Sequence, residues 1–283
     1  MVKIITFLFF CVIGFVVLIP EANAQKKKGY KLVWEDEFKN NGLPDPAKWG
    51  YEVGHIRNRE KQYYTNARKE NIEIKEGMLA ITGRKEIFQN QGYTNGDQSW
   101  QRKDSLAQYT SASINTESSG GWQYGRIEVK AKMPAGGGMW PAIWMMGINR
   151  SKVGWPLCGE IDIMEFIGNH PKEIYGTVHY PTGPNKAHKS NGSIIKDESL
   201  SSAFHLYAIE WDREKIDFYF DNKQYHSFLI DSAGLGDDNP FRKPFYLLLN
   251  FAMGADWPGP INDAVLPQQF VVDYVRVYQK KIK

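Results

Sequence analysis

The chain has little cysteine, which limits what can hold its fold together. Among 283 residues only Cys11 and Cys158 are cysteines. Cys11 lies in an N-terminal segment that we expect to be removed, which would leave Cys158 alone. An intrachain disulfide is then excluded, and the fold must rest on its core even in an oxidising compartment.

Several kinds of catalytic motif are missing as well. The six histidines show no H-E-x-x-H or other paired ligand spacing, which argues against catalytic zinc. No G-x-S-x-G sequence marks a serine nucleophile. Gly136-Gly137-Gly138 lacks the Lys and Ser/Thr of a phosphate-binding loop, so we interpret it as a flexible turn. The formal charge of +3 is small and does not indicate nucleic acid or anionic membranes as partners.

The N-terminus has the pattern of a secretory signal over residues 1–24. Lys3 supplies a short basic start, Ile4 to Pro20 is an apolar run, and Ala22-Asn23-Ala24 is a small-x-small cleavage site. The run is short for a membrane span, although a membrane anchor is the alternative interpretation. Lipidation at Cys11 is disfavoured because two phenylalanines precede it.

We therefore predict a secreted or periplasmic protein with no membrane association after signal removal. The remaining chain, residues 25–283, has a length that is common for one all-β domain. No internal repeat or low-complexity linker divides it. We expect a monomer.

Short strands separated by turns dominate the rest of the chain, and no long amphipathic helix is evident. Ile72 and Ile74 alternate with polar residues, Glu76-Gly77 makes a turn, and the alternation then resumes. Phe245 to Phe251 is a continuous apolar run, as in a strand of a sandwich core. This pattern predicts an antiparallel β sandwich. The nine tryptophans and fifteen tyrosines either fill its core or offer platforms for the flat faces of sugar rings.

One strand carries an unusual acidic cluster, G-E-I-D-I-M-E-F from Gly159 to Phe166. Period-two alternation puts Glu160 and Asp162 on one face but Glu165 on the other, among apolar side chains. A β-bulge near Ile163-Met164 would bring Glu165 back to the acidic face. Such a cluster costs stability through like-charge repulsion, which is typical of active sites. A solvated edge strand with scattered acids is the alternative.

Two carboxyl groups on one surface suit the hydrolysis of glycosidic bonds. One acts as nucleophile or base, and the other is an acid whose pKa is raised by its neighbours. Retaining enzymes hold the two groups about 5–5.5 Å apart and inverting enzymes about 6.5–9.5 Å apart. Two glutamates on one strand, brought closer by a bulge, fit the shorter class better.

With these residues in view, the sequence resembles glycoside hydrolase family 16 from about Leu32 to Tyr278. E-I-D-I-M-E is similar to the bulged form of the family's catalytic signature. Further landmarks follow in family order: W-E-D-E-F (Trp34–Phe38), Y-T-S-A (Tyr109–Ala112), Y-G-R-I-E (Tyr124–Glu128), W-P-A-I-W-M-M (Trp140–Met146) and V-D-Y-V-R-V-Y (Val272–Tyr278). The resemblance implies a β-jelly-roll of two curved antiparallel sheets with a concave substrate cleft, and a retaining double displacement.

The resemblance also implies roles for the acidic residues. Glu160 matches the nucleophile and Glu165 the general acid/base, while Asp162 matches the acid that keeps the two glutamates in unlike protonation states. His179 matches a histidine near the acid/base, and a core histidine is its alternative. No cofactor is implied for catalysis.

The resemblance places further residues around the substrate. Trp140, Trp144 and Trp155 match aromatic positions that flank the cleft, with a buried core position as the alternative, above all for Trp144. Asn58 and Gln62, with Glu60 between them, resemble an early cleft loop, and Trp257 matches an aromatic residue at the cleft edge. A separate set on the convex side, namely Glu37, Gly77 and Asp273, matches a structural calcium site of many relatives.

Within the family, the motifs resemble laminarinases that cut β-1,3-glucans internally. Ser113 stands where relatives often have Arg or Lys after Y-T-S-A, which leaves subsite preference open. β-1,3-glucan, mixed-linkage β-1,3/1,4-glucan and galactans such as agar or porphyran stay in consideration, in that order. A non-catalytic glycan-binding jelly roll is the alternative of another class. The presence of both Glu160 and Glu165 argues against it.

Overall fold

The computed structural model describes residues 29–281, so the signal predicted over residues 1–24 lies outside the described residues. In chain order the strands are β1 Tyr30–Asp36, β2 Gly50–Tyr51, β3 Gln62–Tyr64, β4 Ile72–Lys75, β5 Met78–Gln89, β6 Leu106–Ser111, β7 Ser113–Asn115, β8 Gly125–Lys132, β9 Met139–Gly147, β10 Glu160–Phe166, β11 Glu173–Thr182, β12 Ala187–Lys196, β13 His205–Trp211, β14 Lys215–Phe220, β15 Lys223–Leu229, β16 Phe245–Met253 and β17 Gln268–Lys280.

Helical structure is confined to short connections within this range. They are the helix α1 Arg150–Val153 and the 3₁₀ turns Ile230–Ala233, Pro240–Arg242 and Asp263–Val265. Among the described residues, no helix has the length and apolar character needed to cross a bilayer.

The strands form two sheets, as the alternation of apolar residues predicts. One sheet runs in the order β15-β14-β13-β8-β17-β5-β6-β3, with β1 on β17 and β4 on β5. The other runs β12-β11-β10-β9-β16-β7-β2 and carries the acidic strand near its middle. The predicted two-sheet β sandwich is therefore confirmed.

One pairing departs from the antiparallel prediction. β3 pairs with β6 in parallel, through Gln62–Tyr109 to Tyr64–Ser111. β3 follows the loop that contains Asn58 and Glu60. It is the last strand at one edge of the ten-stranded sheet, where it lies parallel to β6. Period-two alternation gives no information on strand direction, so the sequence pattern did not predict this pairing.

Alternation along β9 and β16 divides their side chains between two apolar clusters. Ile143 and Met145 face the other sheet and pack in the main core with Ile127 and Val129 of β8. The opposite face of the seven-stranded sheet carries a smaller buried cluster: Ala142, Trp144, Met146, Cys158, Tyr246 and Leu248. This second cluster forms an apolar floor beside the acidic strand.

The β10 strand contains one extra residue relative to both neighbours. From Asp162 to Glu165 the chain advances three residues, whereas their partners on β11, Thr177 and Tyr175, are two apart. On β9 the partners are Trp144 and Ala142, again two apart. Three residue steps of β10 therefore span the same length as two residue steps on each neighbouring strand, and such a one-residue insertion is a β-bulge.

The bulge reverses the alternation of side chains between Asp162 and Glu165, the position at which the sequence pattern predicts a reversal. Ile163 and Met164 are consecutive, yet both pack in the main core. Glu165 therefore returns to the face that carries Glu160 and Asp162. The bulge predicted near Ile163-Met164 is confirmed, and fully buried Met164 also contributes to core packing.

We predict that deleting Met164 impairs turnover more than it impairs binding. Without the extra residue, Glu160 and Glu165 become four positions apart on a regular strand, still on one face but about 13 Å apart between Cα atoms. Misplacement by about 1 Å can cost about 100-fold in rate. Affinity electrophoresis in laminarin beside a turnover assay measures both effects.

The matched control is Met164→Ala, which removes a similar core volume but keeps the bulge. We expect it to be destabilised by about 2–4 kcal/mol and to retain turnover at temperatures where it is folded. Equal losses of turnover in the two folded variants would show that core packing, not the bulge, matters at this position.

Candidate active site

The acidic face of β10 opens into a cleft of about 610 Å³. Glu160 and Glu165 line it, together with most of the side chains expected from the sequence: Asn58, Trp140, Trp144, Trp155, His179 and Trp257. Asp162 lies between the two glutamates and is only 3% exposed. The structure thus brings together residues from β9, β10, β11 and three loops.

Each glutamate in the cleft is held by the indole N–H of a different tryptophan. Trp155 Nε1 donates to Glu160 Oε2 over 2.5 Å. Trp140 Nε1 donates to Glu165 Oε1 over 3.1 Å. A fixed indole donor restricts the rotation of each carboxyl group and satisfies one of its oxygens.

Asp162 links the two strands at the floor of the site. Its Oδ2 lies 3.0 Å from His179 Nε2 on β11. Burial raises its pKa well above the usual range, and the charge of Glu160 and a hydrogen bond with Glu160 raise it further. Asp162 is therefore suited to keep a proton and donate it to Glu160.

The environment of Glu165 favours the protonated acid. Burial is the main cause that raises its pKa well above normal, followed by the charges of Asp162 and Glu160. His179 and the hydrogen bond from Trp140 act in the opposite direction. Glycoside hydrolysis needs two neighbouring carboxyl groups in different states: one keeps its proton, and the other accepts hydrogen bonds.

Two groups of aromatic side chains line the cleft. Trp257 is 45% exposed and meets Trp140 edge to face, with ring centroids 5.3 Å apart, and Tyr175 at 5.2 Å. Trp155 is 46% exposed and lies 4.6 Å from the ring of His188. Exposed indole faces beside two carboxyl groups provide surfaces for the apolar faces of sugar rings.

Comparison with known proteins agrees with this geometry. The sequence profile of glycosyl hydrolases family 16 matches residues 59–276. The chain belongs to glycosyl hydrolase family 16. It is 38% identical to a β-glucanase of Rhodothermus marinus over 273 residues, covering 93% of this chain and 90% of the relative.

Solved structures of related glycan-degrading enzymes show the same fold. A laminarinase from Rhodothermus marinus superposes with a TM-score of 0.77 at 39% identity, covering 89% of this chain and 98% of the other. A structure from work on endo-acting O-glycanases of the human gut microbiota, which initiate mucin breakdown, gives 0.84 at 39% identity, covering 90% and 92%. The chain is therefore a family 16 glycoside hydrolase with the predicted jelly-roll fold.

Trp144 is both a cleft residue and a buried residue, the two alternatives that the sequence left open for it. It lines the cleft of this family 16 enzyme but is only 5% exposed. Its Nε1 donates to Asn250 Oδ1 over 2.7 Å, and the guanidinium of Arg57 covers its ring at 4.9 Å. Because Arg57 occupies the ring face, a sugar at this place meets the guanidinium rather than the indole.

The structure corrects the expected position of Glu60. Asn58 lines the cleft, whereas Glu60 is 3% exposed and does not. Glu60 accepts hydrogen bonds from Gln62 at 2.7 Å and from Asn58 and Tyr64 at 3.3 Å. Burial raises the pKa of Glu60 and nearby Arg57 lowers it. Glu60 is thus part of the support of the loop.

The residues expected to bind calcium do not fit that ion as the structure places them. Both carboxylate oxygens of Glu37 accept from Arg276, at 2.6 and 2.9 Å. Asp273 Oδ2 lies 2.8 Å from Lys130 Nζ, and Gly77 forms the β4–β5 turn with a left-handed φ of 76°. Both carboxylates are already neutralised by cationic side chains, which compete with calcium for the same oxygens.

A second set of possible ligands lies in the cleft itself. Ligand atoms of Glu160, Asp162 and His179 lie within 4.8 Å of one another. Burial and the neighbouring Glu160 raise the pKa of Asp162, which favours a proton shared within this group.

Several cleft residues were not identified from the sequence: Arg57, Met146, Arg150, Tyr175, Thr177 and His188. Tyr175 and Thr177 could have been found, because they alternate with His179 on one strand. His188 had no comparable signal, since it stands in a polar stretch without apolar alternation.

We predict that Glu165→Gln stabilises the protein increasingly as the pH rises. A raised folded-state pKa contributes stability that is complete below the unfolded pKa, about 4.5, and is lost as the pH rises through the folded value. The neutral amide avoids that loss. The melting temperatures of the variant and the wild type should therefore diverge between pH 4.5 and pH 8, by about 2–4 °C for each kcal/mol of difference in the free energy of unfolding.

Glu198→Gln is the matched control, because the side chain of Glu198 is 78% exposed. Its melting temperature should stay parallel to that of the wild type across the pH range. A Glu165→Gln curve that also stayed parallel would contradict the assignment of Glu165 as an acid with a raised pKa.

Proposed function

We propose that this family 16 enzyme is an exported, endo-acting hydrolase of β-1,3-glucan of the laminarin type, or of mixed-linkage β-1,3/1,4-glucan, with retention of configuration. The observation that carries the proposal is the bulge in β10, which puts Glu160 and Glu165 on one wall of the cleft with Asp162 between them. The similarity to a β-glucanase and a laminarinase supports the choice of substrate. The N-terminal pattern of Lys3, an apolar run and Ala22-Asn23-Ala24 supports export.

In the first step Glu160 attacks the anomeric carbon. The N–H of Trp155 and the proton of Asp162 orient its carboxylate and offset its charge. Glu165 gives its proton to the glycosidic oxygen, so the reducing-end part of the chain leaves as an alcohol. A covalent glycosyl ester of Glu160 remains.

In the second step Glu165, now a carboxylate, takes a proton from water while that water attacks the same carbon. The ester bond breaks, Glu160 regains its charge, and Glu165 is again the acid. Two inversions at one carbon give net retention. The raised pKa of Glu165 favours the protonated form that the first step requires.

A second candidate is an endo-acting hydrolase of galactose-containing glycans. The observation that favours it is 33% identity to a keratan-sulfate endo-1,4-β-galactosidase of Sphingobacterium multivorum, over 88% of this chain and 55% of that protein. The TM-score of 0.84 to the structure from the work on mucin O-glycanases, against 0.77 to the laminarinase, points to a glycan other than laminarin as well. Arg57 over Trp144 also alters a surface that would otherwise be a bare indole. The same two-step chemistry serves both candidates, so only the substrate separates them.

The test is sugar release from laminarin, lichenan, agarose, carrageenan and mucin glycans, with proton NMR of the newly formed reducing end. We predict release from laminarin or lichenan, with the β-anomer appearing first. Glu160→Gln should abolish release with the fold intact. An α-anomer formed first would contradict the role of Glu160.

The substrate panel also separates the alternatives. Release from agarose, carrageenan or mucin glycans without release from either glucan would favour the second candidate. Binding of laminarin without release from any substrate would indicate a glycan-binding protein.

A further inference from the structure

The β12 strand contributes one side chain to the cleft that the mechanism above does not use. His188 lines the cleft and, like most of β12, is exposed. Its Nε2 lies 2.8 Å from Nδ1 of His179, and the two rings stack with centroids 5.1 Å apart and an interplanar angle of 18°. In the β11–β12 register His179 is opposite Ser190, so His188 is its diagonal neighbour on the same face.

His188 is connected to Glu160 by two routes. Its ring packs on Trp155, whose Nε1 donates to Glu160 Oε2. Through His179 it reaches Asp162 Oδ2 at 3.0 Å, and Asp162 in turn is hydrogen-bonded to Glu160. Five side chains, Glu160 among them, therefore form a closed ring of contacts.

The chemistry of Glu160 fixes the direction of each hydrogen bond in this ring. A carboxylate nucleophile accepts hydrogen bonds only, so the proton between Glu160 and Asp162 belongs to Asp162. Oδ2 of Asp162 lies 3.0 Å from Nε2 of His179 without forming an aligned hydrogen bond, so the contact is electrostatic, and it favours the N–H rather than the lone pair of Nε2 on that side. A neutral His179 has a lone pair on Nδ1, which requires a proton on Nε2 of His188.

We propose that His188 is a positioning residue that fixes the tautomer of His179 by donating its Nε2–H to Nδ1, so that the Nε2–H of His179 faces the carboxyl group of Asp162. The inference rests on the proposed role of Glu160 as nucleophile. The N–H of His179 beside Oδ2 stabilises the lone pairs of that oxygen, which leaves the proton of Asp162 for its contact with Glu160.

The electrostatics of the pair are consistent with this arrangement. Burial and the neighbouring His179 lower the pKa of His188, while Glu160 raises it. Two stacked imidazolium rings would repel each other, so a neutral His188 with one N–H is the form that suits the chain.

Two substitutions separate the donated proton from the ring. His188→Gln keeps an N–H donor at a similar distance but loses the ring against Trp155. His188→Phe keeps the ring and loses the donor. We expect His188→Phe to lower kcat on laminarin about 10-fold with little change in KM or melting temperature, and His188→Gln to retain most of the wild-type kcat.

The tautomer of His179 can be read directly from its ¹⁵N chemical shifts. The wild type and His188→Gln should show a protonated Nε2 and a bare Nδ1, and His188→Phe should show a mixture. Three results would each overturn the proposal. The first is a wild-type kcat in His188→Phe, and the second is a kcat of His188→Gln as low as that of His188→Phe. The third is a protonated Nδ1 of His179 in the wild type. Failure of the proposed function would instead show as full glucan hydrolysis by Glu160→Gln.

Discussion

The repulsion between neighbouring carboxyl groups is the constraint on which this structure depends. Three acidic side chains on one strand face are brought together by a single extra residue in β10. Because adjacent buried carboxylates cannot all ionise at low cost, the group must share protons unequally. The unequal sharing distinguishes an acid from a nucleophile among side chains of nearly the same chemistry.

The surroundings of the cluster determine where each proton lies. Trp155 and Asp162 direct donors at Glu160, whereas Glu165 is half-buried next to two other acids and receives a single indole N–H. The main core and the smaller cluster around Trp144 pack on opposite faces of the sheet and hold these side chains on rigid strands. The site therefore carries a cost in stability that the two-sheet core must offset.

Local sequence patterns predicted most of the fold and the centre of the site. Alternating residues indicated the strands, and the conflict between Glu160 and Glu165 within that alternation predicted the bulge. Periodicity identifies the face of a side chain but not the strand that lies beside it. The parallel pairing of β3 with β6, the contact of His188 with His179 and the cover of Arg57 over Trp144 all depend on that missing information. The burial of Glu60 was missed for the same reason, since its partners are fixed by how its loop folds back.

The central claim is that Glu160 forms the covalent bond to the sugar while Glu165 moves the proton. The most direct measurement is mass spectrometry of the enzyme treated with a 2-deoxy-2-fluoro β-glucoside of laminaribiose type that carries an activated leaving group. Such a substrate forms the glycosyl ester but releases it slowly. Our account predicts one added glycosyl group on the peptide that contains Glu160, mapped by fragmentation to that residue. A label mapped to Glu165, or turnover without any adduct, would contradict it.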